Sequence, residues 1–161
     1  SRIRSLNWIA VCAGSHDLKS SYLGSLKKMV VDKGLENRIL FPGNCEDMPA
    51  AIELSSIVVS SSSEPESFGR TAVEAQSMNR PVIATAHGGA IETISHNKTG
   101  ILVKPGSVDE MALALKNLIE NKELYAALSS QGRDRVKRLF TKKVMCEKTL
   151  SLYLLEFSKN K

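Results

Sequence analysis

Two glutamates and a helix start are the features of this sequence whose residue types and spacing best suit chemistry. Glu66 and Glu74 lie eight positions apart, and Gly69-Arg70-Thr71 between them begins a segment with helical periodicity. The first N–H groups of a helix have no intrahelical partner and attract anions, and the helix dipole adds about 0.3–1 kcal/mol. One turn inside, Glu74 can accept two hydrogen bonds from a vicinal diol such as that of a ribose. These residues predict a nucleotide site, although their spacing alone also allows a helix cap and a solvated glutamate.

The elements that must position these residues alternate along the chain. Short, continuously apolar runs predict five strands, each buried on both faces, at 8–12, 38–41, 57–60, 81–84 and 101–103. Helical patterns follow at 17–33, 46–54, 70–78, 90–95, 108–120, 122–139 and 142–157. This alternation predicts an α/β fold, a Rossmann-like three-layer sandwich with an open parallel sheet of about five strands. Ser107 is expected to cap the helix at 108–120, with Glu110 completing a capping box.

Ligands of such sheets bind beyond the carboxyl ends of the strands. That rule selects four loops, at 14–17, 43–47, 60–70 and 85–90. They bring Gly14, Gly43, His87 and Gly88 into consideration beside the Glu66–Glu74 segment. We expect His87 to line the site rather than act as a base, and contact between His16 and a phosphate stays open.

Composition is that of an ordinary folded domain. The chain has 161 residues, of which 42% are apolar and 24% are charged, enough for one domain with a buried core. No apolar run approaches the roughly 20 residues that span a bilayer. Three widely spaced cysteines favour neither a disulfide scaffold nor a zinc site. We therefore expect a cytoplasmic location.

The net charge of +5 comes from the C-terminal part of the chain. Residues 133–161 carry nine Lys/Arg and three Asp/Glu, whereas the remainder has a balance of −1. This stretch could contact an anionic membrane surface, nucleic acid or an acidic partner, or it could be a solvated helix face. Aromatic residues make up only 5% and do not interleave with the basic residues. We expect no nucleic-acid partner, and peripheral membrane contact through the basic helices stays open.

The segment Glu66 to Ala84, ESFGRTAVEAQSMNRPVIA, resembles the E-x(7)-E segment of retaining glycosyltransferases of family 4, which have the GT-B fold and use nucleotide sugars. Further motifs extend the resemblance to nearly the whole chain. They are a strand-glycine turn at Val11–Gly14, an F-x-G turn at Phe41–Gly43, a G-G-x-x-E loop at His87–Glu92 and a T-G-x-L-V strand at Thr99–Val103. One departure is His16, which replaces the second glycine of the family's G-x-G turn.

Carried over residue by residue, the resemblance implies that Glu74 binds the donor ribose. It implies that Glu66 contacts the donor sugar and stabilises charge that develops during transfer. The backbone amides of Phe68, Gly69 and Arg70 would receive the diphosphate and sugar. The other implied donor-binding residues are Thr71, Gly14, Gly43, His87 and Gly88. The family retains anomeric configuration with no bound metal and no tightly bound cofactor, its donor substrate being a UDP-, GDP- or ADP-linked sugar.

The resemblance also implies that parts of the enzyme lie upstream of Ser1. These are the first strand and helix of the donor domain, with its diphosphate-binding Arg and Lys, and the N-terminal acceptor domain. We therefore expect residues 1–161 to be the C-terminal, donor-binding domain of a GT-B enzyme, inactive alone. Helix 142–157 crosses the interdomain cleft in this family, and here it could instead contact another chain or pack on its own domain.

These implications favour a glycosyltransferase that acts on a glycan or lipid-linked acceptor in bacterial envelope polysaccharide or lipopolysaccharide synthesis. The alternative is a non-catalytic module that binds a nucleotide sugar and needs a separate acceptor-binding chain. An upstream reading frame of about one domain's length would favour the enzyme.

Overall fold

A computed structural model describes residues 3–14 and 21–159. The chain divides into two compact units, Ser1–Ala51 and Ile52–Lys161. His16 and the expected helix start at Asp17 lie outside the described residues.

The first unit is built around a pair of parallel strands. Its elements are β1 (Ala10–Ala13), α1 (Ser21–Asp32) and β2 (Ile39–Gly43), and α2 (Met48–Leu54) begins in it. Ala10 pairs with Ile39 and Val11 with Leu40. The two strands therefore end side by side, and Gly14 N donates to Gly43 O at 2.9 Å.

The second unit contains a three-stranded parallel sheet and the remaining helices. Its elements are β3 (Val58–Ser60), α3 (Arg70–Ser77), β4 (Val82–Thr85), α4 (Ala90–Thr93), β5 (Ile101–Val103), α5 (Val108–Glu120), α6 (Lys122–Leu139) and α7 (Lys142–Lys159). The strand order is β3-β4-β5. Ser60 pairs with Ala84, and Thr85 pairs with Val103.

The central strand β4 is buried on both faces. Val82 and Ala84 pack in one cluster with Ala72 and Ala75 of α3. Ile83 packs on the opposite face in a second cluster, whose other members are Ile101, Val103, Ala114, Leu118 and Leu128. Full burial of a Val or Ile side chain stabilises by about 1.5–3 kcal/mol, so these layers fix the sheet that carries the β3 and β4 loops. The second unit thus has the predicted helix–sheet–helix layering.

Two details of the sheet differ from expectation. All five strands exist and pair in parallel, but among the described residues they form a two-stranded and a three-stranded sheet instead of one. The prediction that β1 is buried on both faces is wrong, because Val11 is 61% exposed. Within its unit β1 pairs with β2, and no residue of α1 is buried.

The start of α5 follows half of the predicted capping box. Ser107 Oγ accepts from Glu110 N at 3.3 Å, which confirms the cap. The Glu110 carboxylate does not bond back to Ser107 N. It accepts instead from Lys104 N at 2.7 Å, because Ser107 N is already used by the Lys104 carbonyl at 3.0 Å.

Helix α7 has no buried residue. The structure therefore does not support the alternative in which this helix packs on its own domain. Its large exposed apolar side chains are Met145, Leu150, Leu152, Tyr153, Leu154, Leu155 and Phe157. No helix within 3–14 and 21–159 combines the length and apolar character needed to cross a membrane.

Candidate functional site

The N-terminus of α3 has the geometry that the sequence predicts for an anion site. The helix begins at Arg70, and its N-cap Gly69 is left-handed, with φ at +74°. A β-carbon is disfavoured in that conformation, so glycine is the residue that suits it. Ala72 N donates to Gly69 O at 3.1 Å. The earlier N–H groups, of Gly69, Arg70 and Thr71, have no acceptor among the described residues.

Glu74 lies beside Arg70, as the helical spacing predicts. Arg70 Nη2 donates to Glu74 Oε1 at 3.3 Å, and the two side chains are 84% and 41% exposed. Exposed i, i+4 ion pairs contribute only about 0.3–0.5 kcal/mol. A ligand diol could therefore replace Arg70 at the carboxylate for little free energy.

Glu66 is held by serines at the end of β3 and just after it. Its Oε1 accepts from Ser62 Oγ and, at 3.5 Å, from Ser60 Oγ. Its backbone carbonyl accepts from Gly89 N at 2.7 Å. The carboxylate and the backbone carbonyl of the exposed Glu66 are thus both held by segments outside α3.

Gly88 and Gly89 let the β4 loop approach the Glu66–Phe68 backbone. A Cβ on Gly88, whose φ is +52°, would lie 2.4 Å from Glu66 O. A Cβ on Gly89 would lie 2.4 Å from the carbonyl carbon of Phe68. Real Cβ atoms do not approach so closely. The predicted loops after β3 and β4 can therefore lie this close only because both residues are glycines.

His87 joins the same two loops. Its Nε2 lies 2.9 Å from Thr85 Oγ1 and 3.0 Å from Ser62 O, and Thr85 Oγ1 donates to Ser62 O at 2.9 Å. A shallow pocket forms here, lined by Ser60, Ser62, Glu66, Gly69, Ala72, Ala84, Thr85, His87 and Ala90. The structure therefore brings Glu66, Gly69 and His87 to one pocket. Glu74 is not among its lining residues.

Phe68 has a support that sequence reasoning missed. Its ring, 43% exposed, meets the Phe140 ring edge to face at 5.8 Å between centroids. The Arg135 guanidinium lies 5.6 Å from the centre of the Phe140 ring and donates to Glu92 O at 2.8 Å. The support joins the end of α6 to the loop before α3, and no spacing signal in the sequence points to it.

Gly14 and Gly43 lie together at the carboxyl ends of β1 and β2, in the first unit. A β-bulge or similar irregularity between Val11 and Ala13 shifts the register, so that Ala13 pairs with Gly43. Across the described part of the chain, no group of three or more His, Cys, Asp or Glu side chains is placed to hold a metal ion.

Solved structures share this architecture, and curated proteins are similar in sequence. A glycosyltransferase from Rickettsia africae is 30% identical with a TM-score of 0.88, and the match covers 94% of this chain. The Anabaena protein HepE, crystallised with UDP-glucose, is 31% identical with a TM-score of 0.81 over 89% of this chain. A GDP-mannose-dependent alpha-(1-6)-phosphatidylinositol monomannoside mannosyltransferase from Mycobacterium tuberculosis is 32% identical over 71% of this chain.

The chain spans 41% of the Rickettsia protein, 40% of HepE and 32% of the Mycobacterium enzyme. It thus corresponds to a part of each, and the predicted α/β fold with parallel strands is confirmed as part of a GT-B glycosyltransferase. The family model of glycosyl transferases group 1 matches residues 2–135, a range that contains every predicted site residue. This chain therefore belongs to the glycosyl transferases group 1 family.

Proposed function

We propose that this chain is the donor-binding part of a retaining glycosyltransferase of family 4. It transfers a sugar from a nucleotide-diphosphate sugar to a glycan or lipid-linked acceptor, in bacterial envelope polysaccharide or lipopolysaccharide synthesis. The observation that carries the proposal is the start of α3, where N–H groups that have no acceptor within residues 3–14 and 21–159 lie between Glu66 and Glu74. A nucleotide-sugar donor is supported by the GDP-mannose in the Mycobacterium relative's name and by the UDP-glucose in the HepE crystals. The phosphatidylinositol monomannoside in the former name supports a lipid-linked acceptor.

The proposed roles follow the charges that transfer creates. Breaking the bond between sugar and phosphate leaves an oxocarbenium-like sugar and an anionic diphosphate. The Glu66 carboxylate stabilises the sugar, and the amides of Phe68, Gly69 and Arg70 stabilise the diphosphate. Glu74 binds the ribose diol. Thr71, Gly14, Gly43, His87 and Gly88 complete the proposed donor contacts, with no metal required.

The remainder of the enzyme is proposed to come from outside this sequence. The missing parts are the first strand and helix of the donor domain and an N-terminal acceptor domain, in keeping with a chain that spans 41% of the Rickettsia protein. One domain alone can neither orient two substrates nor exclude water from them, so residues 1–161 by themselves would be inactive. The same coverage supports a second candidate, a non-catalytic module that pairs with a separate acceptor-binding chain.

The proposed location is the cytoplasm, with peripheral contact at the inner face of the membrane. The basic residues at the end of α6 and the start of α7 support this contact, because polybasic surfaces bind anionic lipid headgroups.

The proposal is tested by calorimetric titration with UDP, GDP, ADP and their sugar conjugates. We expect one nucleotide series to bind, and Glu74→Ala to weaken its affinity about tenfold or more, because the ribose loses two hydrogen bonds to a charged group. Glu120→Ala, at an exposed glutamate of α5, is the matched control and should leave the affinity unchanged. Binding that ignored Glu74→Ala, or the absence of any binding, would contradict the donor site.

A further inference from the structure

Ser62 is the only described residue whose side chain makes a close hydrogen bond to the Glu66 carboxylate. Ser62 Oγ donates to Glu66 Oε1, while Ser60 Oγ reaches the same oxygen only at 3.5 Å, the limit of a hydrogen bond. Ser62 is half-buried, whereas the neighbouring Ser61 and Ser63 are exposed. Of the four consecutive serines, Ser62 is therefore the one best placed to orient Glu66.

The Ser62 backbone is itself fixed by β4. Its carbonyl accepts from Thr85 Oγ1 at 2.9 Å and lies 3.0 Å from His87 Nε2. A carbonyl oxygen can only accept, so the contact with Ser62 O is a hydrogen bond in the tautomer of His87 that carries its hydrogen on Nε2. Thr85 is buried, at 6% exposure, and Thr85 pairs with Val103 in the sheet. The backbone that carries Ser62 Oγ is thus tied to the buried central strand β4.

An exposed glutamate ordinarily samples many rotamers, and ligand binding must freeze them. A hydrogen bond from a fixed hydroxyl to the carboxylate removes part of that freedom beforehand. Because Gly89 N holds the Glu66 carbonyl at 2.7 Å, the side chain and the backbone are both restrained before any ligand arrives.

We propose that Ser62 is a positioning residue, which holds the Glu66 carboxylate toward the sugar of a nucleotide-sugar donor. The proposal rests on the proposed function, since it requires Glu66 to face the donor sugar. Ser62 acts on the sugar through Glu66 and makes no contribution to binding of the nucleoside diphosphate.

The first test needs no ligand. In a protein labelled with carbon-13 at glutamate, the Glu66 carboxyl resonance is assigned by its loss in Glu66→Gln. We expect Ser62→Ala to shift this resonance. The scalar couplings of the Glu66 side chain should also move toward the averaged values of a freely rotating chain. Ser62→Thr, which keeps a hydroxyl, and Ser61→Ala, the matched control, should preserve both. An unchanged Glu66 carboxyl resonance in Ser62→Ala would overturn the positioning role.

The second test separates the sugar from the nucleotide. The dissociation constants of UDP and UDP-glucose, and of GDP and GDP-mannose, are measured for each variant, and the ratio within a pair gives the gain in affinity from the sugar. We expect Ser62→Ala to lower that gain about threefold to tenfold without changing the affinity for the diphosphate. In a Glu66→Gln background, Ser62→Ala should have no further effect.

The outcomes distinguish this proposal from the one on which it rests. If the gain in affinity from the sugar falls in Glu66→Gln but not in Ser62→Ala, the role of Ser62 is overturned and the donor site stands. A gain unaffected by Glu66→Gln would overturn it as well, because Glu66 would not contact the sugar. If neither pair bound the wild-type protein, the donor site would fail, and the carboxyl resonance would still decide whether Ser62 holds Glu66.

Discussion

At the scale of single residues, contacts within one turn of helix could be predicted and contacts between loops could not. The pairing of Arg70 with Glu74 and the glycine before α3 follow from local spacing and backbone preference. The contact of His87 with the Ser62 carbonyl depends on how β3 and β4 align. A serine-rich strand end was the only sequence signal at Ser62, and four serines there did not show which one bonds Glu66.

Gly88 offers a test of the close approach between the β3 and β4 loops. Gly88 and Gly106 both have positive φ, at +52° and +77°, but a Cβ would clash with Glu66 O only at Gly88 and meets nothing at Gly106. Gly106→Ala should cost about 1–2 kcal/mol of unfolding free energy, the cost of a left-handed residue with a Cβ. Gly88→Ala should cost about 1–3 kcal/mol more, because the Glu66 backbone must move.

Chemical denaturation of the two variants measures this difference. Equal losses would show that the β4 loop does not press against Glu66. A larger loss at Gly88, accompanied by a shift of the Glu66 carboxyl resonance, would support the contact.

At the scale of elements, the sequence located helices and strands well and predicted their burial less well. The bounds of β5, α5 and α6 agree with prediction, because Pro, Gly and Asn mark where they begin and end. β4 is buried on both faces, but β1 is not, although both are short apolar runs. An apolar run indicates a strand, whereas its burial depends on what packs against it, and no residue of α1 is buried.

The basic stretch around the α6–α7 junction carries the proposed membrane contact. Lys142 and Lys143 begin α7, which has no buried residue. We expect binding to vesicles of phosphatidylcholine with phosphatidylglycerol, and none to phosphatidylcholine alone. Lys142→Ala/Lys143→Ala should weaken that binding about tenfold or more, at about 1 kcal/mol per basic residue near the surface.

Co-sedimentation at rising salt measures this contact, because headgroup attraction is screened within a Debye length. Lys116→Ala/Lys122→Ala, at two exposed lysines elsewhere, is the matched control. Equal binding to both vesicle types, or equal loss in both double variants, would contradict a contact through α7.

At the scale of the whole molecule, the chain contains the pocket beside Glu66 and corresponds to less than half the length of the three relatives compared above. Residues 2–135 carry the family's match, while α7 lies beyond it. The resemblance of nearly every loop motif made the family predictable from the sequence. The sequence did not show that the five strands would form two sheets, since strand order depends on long-range pairing that apolar runs do not encode.

The most direct test of the donor site is to observe the backbone amides at the start of α3 during titration with UDP-glucose or GDP-mannose. In nitrogen-15 spectra, we expect the largest shifts at Phe68, Gly69, Arg70 and Thr71, because their N–H groups, at or just before the N-terminus of α3, would receive the diphosphate. The shifts should saturate with the calorimetric dissociation constant. Saturable binding that left these amides unmoved and shifted only the basic residues of α6 and α7 would contradict the account.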